Sequence, residues 1–283
     1  MYRTLIDSQA LSRHMDDPNW VIVDCRFNLA DTDAGQQAYE QSHIPGAVYA
    51  HLDEDLSGPP VTDRGRHPLP TPAAMTTLFG RLGIDGSKQV VVYDDANGAY
   101  AARLWWMLRY MGHEAVAVLD GGWQAWQEAG LPTRSGVEIN PTTLFTGAPR
   151  TEWLMQIEDV AQQAAQQAAQ QVLLVDSRAP ERYRGEVEPL DPVAGHIPGA
   201  VNYPYEQNWG EGGRYLPPEQ IRKQLQEVLG DVPPEQATFY CGSGVSACAN
   251  LLAMAHAGLR DGRLYVGSWS EWSRDPQREV ATG

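Results

Sequence analysis

The chain repeats itself, and the repeat limits what it can fold into. Val23-Asp24-Cys25-Arg26 returns 152 residues later as Val175-Asp176-Ser177-Arg178, and His43-Ile44-Pro45-Gly46-Ala47 returns intact as His196-Ile197-Pro198-Gly199-Ala200. Val92-Tyr93-Asp94 is answered by Phe239-Tyr240-Cys241, and Gly121-Gly122-Trp123-Gln124-Ala125-Trp126 by Gly267-Ser268-Trp269-Ser270-Glu271-Trp272. Four motifs in one order at nearly constant spacing require two copies of one domain. A length of 283 residues suits two such copies, each able to bury its own core. The stretch 130–150 is rich in Gly, Pro and Thr and lacks a sustained period, so the boundary is expected near residue 140, giving domains 1–140 and 141–283.

Within each copy, short apolar runs alternate with helical patterns. Residues 20–26 and 172–178, and residues 89–95 and 237–242, read as strands ended by polar turns. Residues 99–112 and 245–258 carry apolar side chains at three- and four-residue spacing and end on Gly. Strands alternating with helices imply a mostly parallel sheet covered by helices on both faces, so the fold class is α/β, twice. The Ala/Gln tract 161–171 reads as a solvated surface helix, because both residues are good helix formers.

Twenty-one Lys and Arg against 36 Asp and Glu leave a formal charge of −15. That field repels nucleic acids and anionic membranes, so any anionic substrate needs a locally basic pocket. No segment has the length and apolarity of a membrane span or a signal peptide, and a cytoplasmic location is expected. Three cysteines, Cys25, Cys241 and Cys248, make neither a disulfide framework nor a four-ligand zinc site. No metal or organic cofactor is expected.

Cys241 is the candidate nucleophile. It follows a strand and opens the loop Cys241-Gly242-Ser243-Gly244-Val245-Ser246, at the sheet edge where open α/β folds bind ligands. The glycines let successive N–H groups turn toward the sulfur, and a helix beginning near Val245 directs its positive end there. Such surroundings lower a thiol pKa from about 8.5 into the range ~3.5–7.5. Cys25 and Cys248 read as small buried apolar residues. The first copy carries Asp94 at the cysteine position, so only the second copy is expected to be catalytic.

In order and spacing these motifs resemble the rhodanese superfamily of sulfurtransferases over nearly the whole chain. The resemblance implies two tandem rhodanese-like domains, the first inactive, the second carrying sulfur as a persulfide on Cys241. The loop 241–245 has no Lys or Arg and is similar to the 3-mercaptopyruvate branch; thiosulfate, a dianion, profits from basic loop residues. By the same resemblance Arg182 binds the donor's carboxylate, which suits a planar guanidinium. The branch's second arginine has no counterpart in Glu188-Pro189-Leu190-Asp191-Pro192, and Arg184 is the expected substitute. Gly242, Gly244, Val245 and Ser246 are expected to line the donor site. Ser243 would form a Ser-His-Asp relay with His67 and Asp53, whereas His43 and His196, present in both copies, are expected to hold the turn before Ile-Pro-Gly-Ala.

The implied reaction moves sulfur from 3-mercaptopyruvate to cyanide or a thiol acceptor such as thioredoxin, in a protein expected to be a monomer. Three alternatives stand beside it. A thiosulfate sulfurtransferase shares the persulfide and differs in donor. A persulfide carrier would load without turning over. A cysteine phosphatase needs an arginine six residues after the nucleophile to hold phosphate, and position 247 is alanine.

Overall fold

The computed structural model describes residues 1–61, 64–166 and 172–283. Compact packing divides them into two units, one comprising Met1–Gly58, Pro70–Arg150 and Gly210–Tyr215, the other Pro59–Leu69, Thr151–Trp209 and Leu216–Gly283. The segment Pro59–Leu69 therefore belongs with the second unit although its sequence neighbours belong to the first.

In the first unit the elements run β1 (Leu5–Ile6), α1 (Ser8–Ser12), β2 (Trp20–Asp24), α2 (Ala34–Gln41), β3 (Ala47–Tyr49), α3 (Pro72–Arg81), β4 (Gln89–Tyr93), α4 (Ala101–Tyr110), β5 (Val116–Leu119) and α5 (Gly122–Glu128). The sheet order is β1-β5-β4-β2-β3 and every pairing is parallel. All five residues of β4 are buried, so both faces of the sheet are covered. This is why the parallel strands read as continuous apolar runs rather than alternating ones. Helix α3 starts where Thr71 accepts the Ala74 N–H, with Pro72 at its first position, where a missing N–H costs nothing. The stretch 130–150 stays with this unit: Thr143 donates to the Gly80 carbonyl, and buried Phe145 packs edge-on against Phe79.

The second unit repeats the plan with β6 (Leu154–Met155), α6 (Ile157–Gln166), β7 (Leu173–Asp176), α7 (Pro180–Tyr183), β8 (Val201–Asn202), α8 (Pro218–Leu229), β9 (Ala237–Tyr240), α9 (Ala247–His256), β10 (Arg263–Tyr265) and α10 (Ser268–Trp272). Its parallel sheet runs β6-β10-β9-β7-β8, the same order as the first. In α8, Ile221, Leu225 and Leu229 recur every four residues and form the buried stripe. Of the Ala/Gln tract, residues 161–166 lie in α6, where Ala161 and Ala164 pack against a core built on Val160, Leu174 and Trp269. Residues 167–171 fall outside the described residues. Helix α9 begins at Ala247, two residues after the expected Val245, so the loop after Cys241 is longer than the apolar pattern suggested.

The recurring motifs tie each unit together in the same way. Asp24 clamps Arg26 at 2.7 Å, and the guanidinium lies 4.7 Å over the Trp123 ring; Asp176, Arg178 and Trp269 repeat this at 2.6 and 4.7 Å. Each ion pair is almost fully buried, and each arginine also donates to a carbonyl, of Ser42 or of Gly195. A buried guanidinium needs that complete set of partners. His43 and His196 each place Nδ1 2.7 Å from a carbonyl, of Tyr39 and Tyr183, and pair their backbones with Arg134 and Ala281. Both histidines hold the turn, as their presence in both copies predicts.

Candidate active site

Strand β9 delivers Cys241 to the carboxyl edge of the second sheet. The loop that follows is fastened from behind by α10: Trp269 donates to the Cys241 carbonyl at 3.0 Å and Ser270 to the Gly242 carbonyl at 2.9 Å. Cys241 is 2% exposed, and the Gly244 N–H points at its Sγ from 3.2 Å. Gly244 has φ +74°, and a Cβ there would lie 2.4 Å from the Val266 carbonyl, so neither the conformation nor the space admits a side chain. The loop thus turns an N–H onto the sulfur by a backbone path only glycine follows.

The first unit shows what such a loop does with an anion. Asp94 is buried where the second unit has Cys241, and its carboxylate accepts four backbone N–H groups, from Ala96 and Gly98 on one oxygen and Tyr100 and Ala101 on the other, all at 2.7–2.9 Å. Burial pushes this carboxyl up, and the four donors oppose it. Asp94 has no thiol, so the cradle here holds a fixed charge and not a nucleophile.

Ser243 and His67 are both buried, and His67 Nδ1 lies 2.7 Å from Ser243 Oγ. The loop bearing His67 is pinned to α10: Arg66 donates its backbone N–H to Ser270 Oγ at 3.0 Å, and Arg274 reaches the Arg64 carbonyl at 3.0 Å. Asp53 belongs to the first unit, where it is exposed and its N–H donates to His51 Nδ1 at 3.2 Å. Val245 is buried, and Ser246 stands at the N-cap position of α9 without a capping side-chain hydrogen bond.

Arg182, in the last turn of α7, faces Gly242. A Cβ on Gly242 would lie 3.5 Å from Arg182 Nη1 and 3.0 Å from Arg66 Nη2. Arg182 is held by Glu188, with Nη2 at 2.6 Å and Nε at 3.2 Å, and Arg178 reaches the same carboxylate at 3.1 Å. Arg66 is paired with Asp191. Arg184 is not part of this cluster: its side chain is 44% exposed, and its guanidinium is bonded to Glu186 at 2.7 and 2.9 Å. The expected substitute for a second arginine thus turns to solvent, because Glu186, two residues on, captures it.

Two residues beside the Cys241 loop escaped sequence reasoning. Arg66 lies beside a histidine already singled out, but nothing local ties it to position 242. Ser268 adopts φ +55°, where the first copy has Gly122 at φ +54°, and its hydroxyl accepts the Cys241 N–H at 3.1 Å. The signal was the exchange of Gly-Gly-Trp for Gly-Ser-Trp between copies, since a serine in the left-handed region costs about 1–2 kcal/mol and calls for a reason.

Cys25 and Cys248 are buried and, like Cys241, free thiols. Burial, then the charges of Asp24 and Asp94, hold the Cys25 thiol well above its ordinary pKa. Cys248 sits inside α9 with Sγ 3.5 Å from the Gly244 carbonyl. Among the described residues no group of His, Cys, Asp and Glu is arranged to hold a metal ion, and no helix is long and apolar enough to cross a membrane.

Comparison with known proteins places this geometry. The model of the rhodanese-like domain matches twice, over residues 7–129 and 159–275. A Pseudomonas aeruginosa protein named "Probable 3-mercaptopyruvate sulfurtransferase" is 46% identical over 283 residues, covering 99% of this chain and 98% of the relative. A thiosulfate sulfurtransferase of Rattus norvegicus is 33% identical over 295 residues, covering 100% and 97%. The solved structure of a 3-mercaptopyruvate sulfurtransferase from Leishmania major superposes with a TM-score of 0.83 at 32% identity, covering 96% of this chain and 74% of that one.

Proposed function

Since the chain belongs to the rhodanese-like family, with two copies of its domain, we propose that it is a sulfurtransferase that takes sulfur from 3-mercaptopyruvate onto Cys241 and passes it to a thiol or to cyanide. The observation that carries this reading is the Cys241 loop: a buried sulfur facing the Gly244 N–H, in a loop without Lys or Arg, with Arg182 beside Gly242. Backbone donors favour an anionic sulfur, and the guanidinium favours a carboxylate.

In the first half-reaction the Cys241 thiolate attacks the donor's sulfur. An S–S bond forms, the carbon–sulfur bond breaks, and its electron pair leaves with the carbon as pyruvate enolate. The enolate takes a proton and departs as pyruvate. The Ser243–His67 pair is the proton-handling group in the loop, the hydroxyl donating to Nδ1 when the ring is neutral there; the resemblance assigns Asp53 as its acid. The outer sulfur, now a persulfide anion, sits at the mouth of a loop of the kind that holds the Asp94 carboxylate by four N–H groups in the sister domain. In the second half-reaction an acceptor thiolate, or cyanide, attacks that sulfur and returns Cys241 as thiolate. Three free thiols fit a reducing cytoplasm, where a thiol acceptor of the thioredoxin kind is at hand.

The test is steady-state sulfur transfer to cyanide with 3-mercaptopyruvate and thiosulfate at matched concentrations, with Cys241→Ser as blank. A large preference for 3-mercaptopyruvate is expected. A preference for thiosulfate would reassign the donor and leave the Cys241 chemistry standing.

A further inference from the structure

We infer that the first unit, which has no thiol in its loop, carries a binding site of its own: the cleft lined by Phe27, Tyr100 and Asp95 takes an organic cation, an ammonium or guanidinium group on a short carbon chain. The inference concerns the first unit alone and stands whichever donor Cys241 uses.

Position is the first observation. The repeated motifs align Asp94 with Cys241, so Asp95 and Ala96 stand where the second unit has Gly242 and Ser243. Counted on from Arg26 and Arg178, Ala30 stands where the second unit has Arg182. The cleft is lined by residues that follow β2 and β4, which puts it at the carboxyl edge of the first sheet, where open α/β folds hold ligands. An acid replaces glycine and alanine replaces arginine, so the charge of the site is reversed.

The fixed walls are the second. The cleft holds about 410 Å³, within the range of small-ligand sites. Phe27 packs edge-to-face with Tyr100, ring centroids 5.6 Å apart, and with His51 at 5.2 Å. Helix α2 closes one side, with Gly35 so near the end of β2 that a Cβ would lie 2.0 Å from the Arg26 carbonyl oxygen. Opposite, Gln124 donates to the Asp95 carbonyl at 2.9 Å and the Ala96 N–H donates to Asp94 at 2.9 Å, which holds the peptide units flanking Asp95.

Charge is the third. No Lys or Arg is among the described residues that line the cleft. Asp95 is exposed, its carboxylate accepts from its own backbone N–H, and no cation pairs with it among the described residues. Arg26, whose charge reaches Asp95, is committed to Asp24 and to the Ser42 carbonyl. Burial, then the charges of Asp94 and Asp95, push the Tyr100 phenol up to about 12, so the wall stays neutral. Asp31 and Asp33, just before α2, offset the positive end of that helix. An aromatic wall attracts a cation through its ring electrons, and a carboxylate beside it adds a full charge, a pairing that favours an organic cation over an anion or a neutral molecule.

Titration of the full chain with n-butylammonium, methylguanidinium and neutral n-butanol, followed by amide NMR, tests the site. Both cations should bind with Kd on the order of 1 mM and shift the Gly35 and Ala96 amides, with n-butanol about 10-fold weaker or more. Asp95→Asn keeps the shape and removes the charge; it should weaken both cations by about 10-fold, the size of one lost charged hydrogen bond. Tyr100→Leu should weaken them by a few-fold. A Gly-Lys-Gly peptide blocked at both ends separates the sources of the cation: tighter binding than n-butylammonium assigns the cleft to a side chain of another protein, weaker binding to a free amine, and both uphold the inference. Binding of n-butanol equal to that of the cations, no shift at Gly35 and Ala96, or cation affinity unchanged in Asp95→Asn overturns it. The comparison of cation with alcohol needs no variant, so a variant that fails to fold leaves the test intact. Sulfur transfer is no part of the readout, so failure of this site and failure of the proposed function are seen separately.

Discussion

His67 Nδ1 and Ser243 Oγ lie 2.7 Å apart although 176 residues separate them in sequence. Both are buried, and the histidine's loop packs as part of the second unit, so the pair is a constructed element of the Cys241 loop. Ser243→Ala and His67→Asn should each lower kcat by about 100-fold, the low end of general acid–base contributions. Groups acting as one unit are not additive, so the double variant should be little worse than either single one. Steady-state kinetics on the three proteins decides it; additive losses would show that the two act separately.

Ser268 holds the nucleophile's backbone, accepting from Cys241 N–H and donating to the Tyr265 carbonyl at 2.9 Å. Ser268→Gly relieves the left-handed strain while losing both bonds, so its melting temperature should stay close to wild type. Persulfide formation should nonetheless slow several-fold. A loss of stability with unchanged loading rate would reduce Ser268 to a structural residue.

Glu188 contributes a pH-dependent part of this unit's stability. Burial pushes its carboxyl up, but the Arg182 hydrogen bond, the Leu190 N–H and the charges of Arg182 and Arg178 outweigh burial, and the carboxyl sits below its usual range. A depressed folded-state pKa contributes stability that is present above the unfolded value of about 4.3 and is lost as pH falls through the folded value. Glu188→Gln should therefore be less stable than wild type at pH 7 by about 3 kcal/mol, as for a buried pair deprived of one partner. The gap should begin to narrow below the unfolded value and close as the pH falls through the lower folded value. Denaturant unfolding at both pH values checks this, and a gap independent of pH would contradict the assignment.

Cys25 and Cys248 should be chemically silent in the native protein. Burial and neighbouring carboxylates keep the Cys25 thiol protonated, and Cys248 is enclosed in α9. Alkylation with iodoacetamide at neutral pH, mapped by peptide mass, should label Cys241 first and stop turnover in proportion. Labelling of Cys25 at a comparable rate would overturn this.

The duplication was readable because its motifs are local strings, and each proved to be one contact set: Asp24 with Arg26 under Trp123, Asp176 with Arg178 under Trp269. Cys241 was readable because the end of a strand, two glycines and a helix start fall within seven residues. The arginines were not. Arg184 and Arg182 are neighbours in sequence, and only the placement of Glu186 and Glu188 sends one to solvent and one to the loop. Arg66 reaches Gly242 because Pro59–Leu69 packs with the second unit, a tertiary choice that no local pattern encodes. The linker told the same story: composition marked it as irregular, but Phe145 and Thr143 bind it to the first unit as far as Arg150.

The most direct test of the central claim is the intact mass of the protein after exposure to 3-mercaptopyruvate without an acceptor. The account predicts the gain of one sulfur atom per chain, pyruvate released in equal amount, loss of the added sulfur on addition of cyanide, and no gain in Cys241→Ser. Pyruvate release without added sulfur, or a gain that survives in Cys241→Ser, would contradict it.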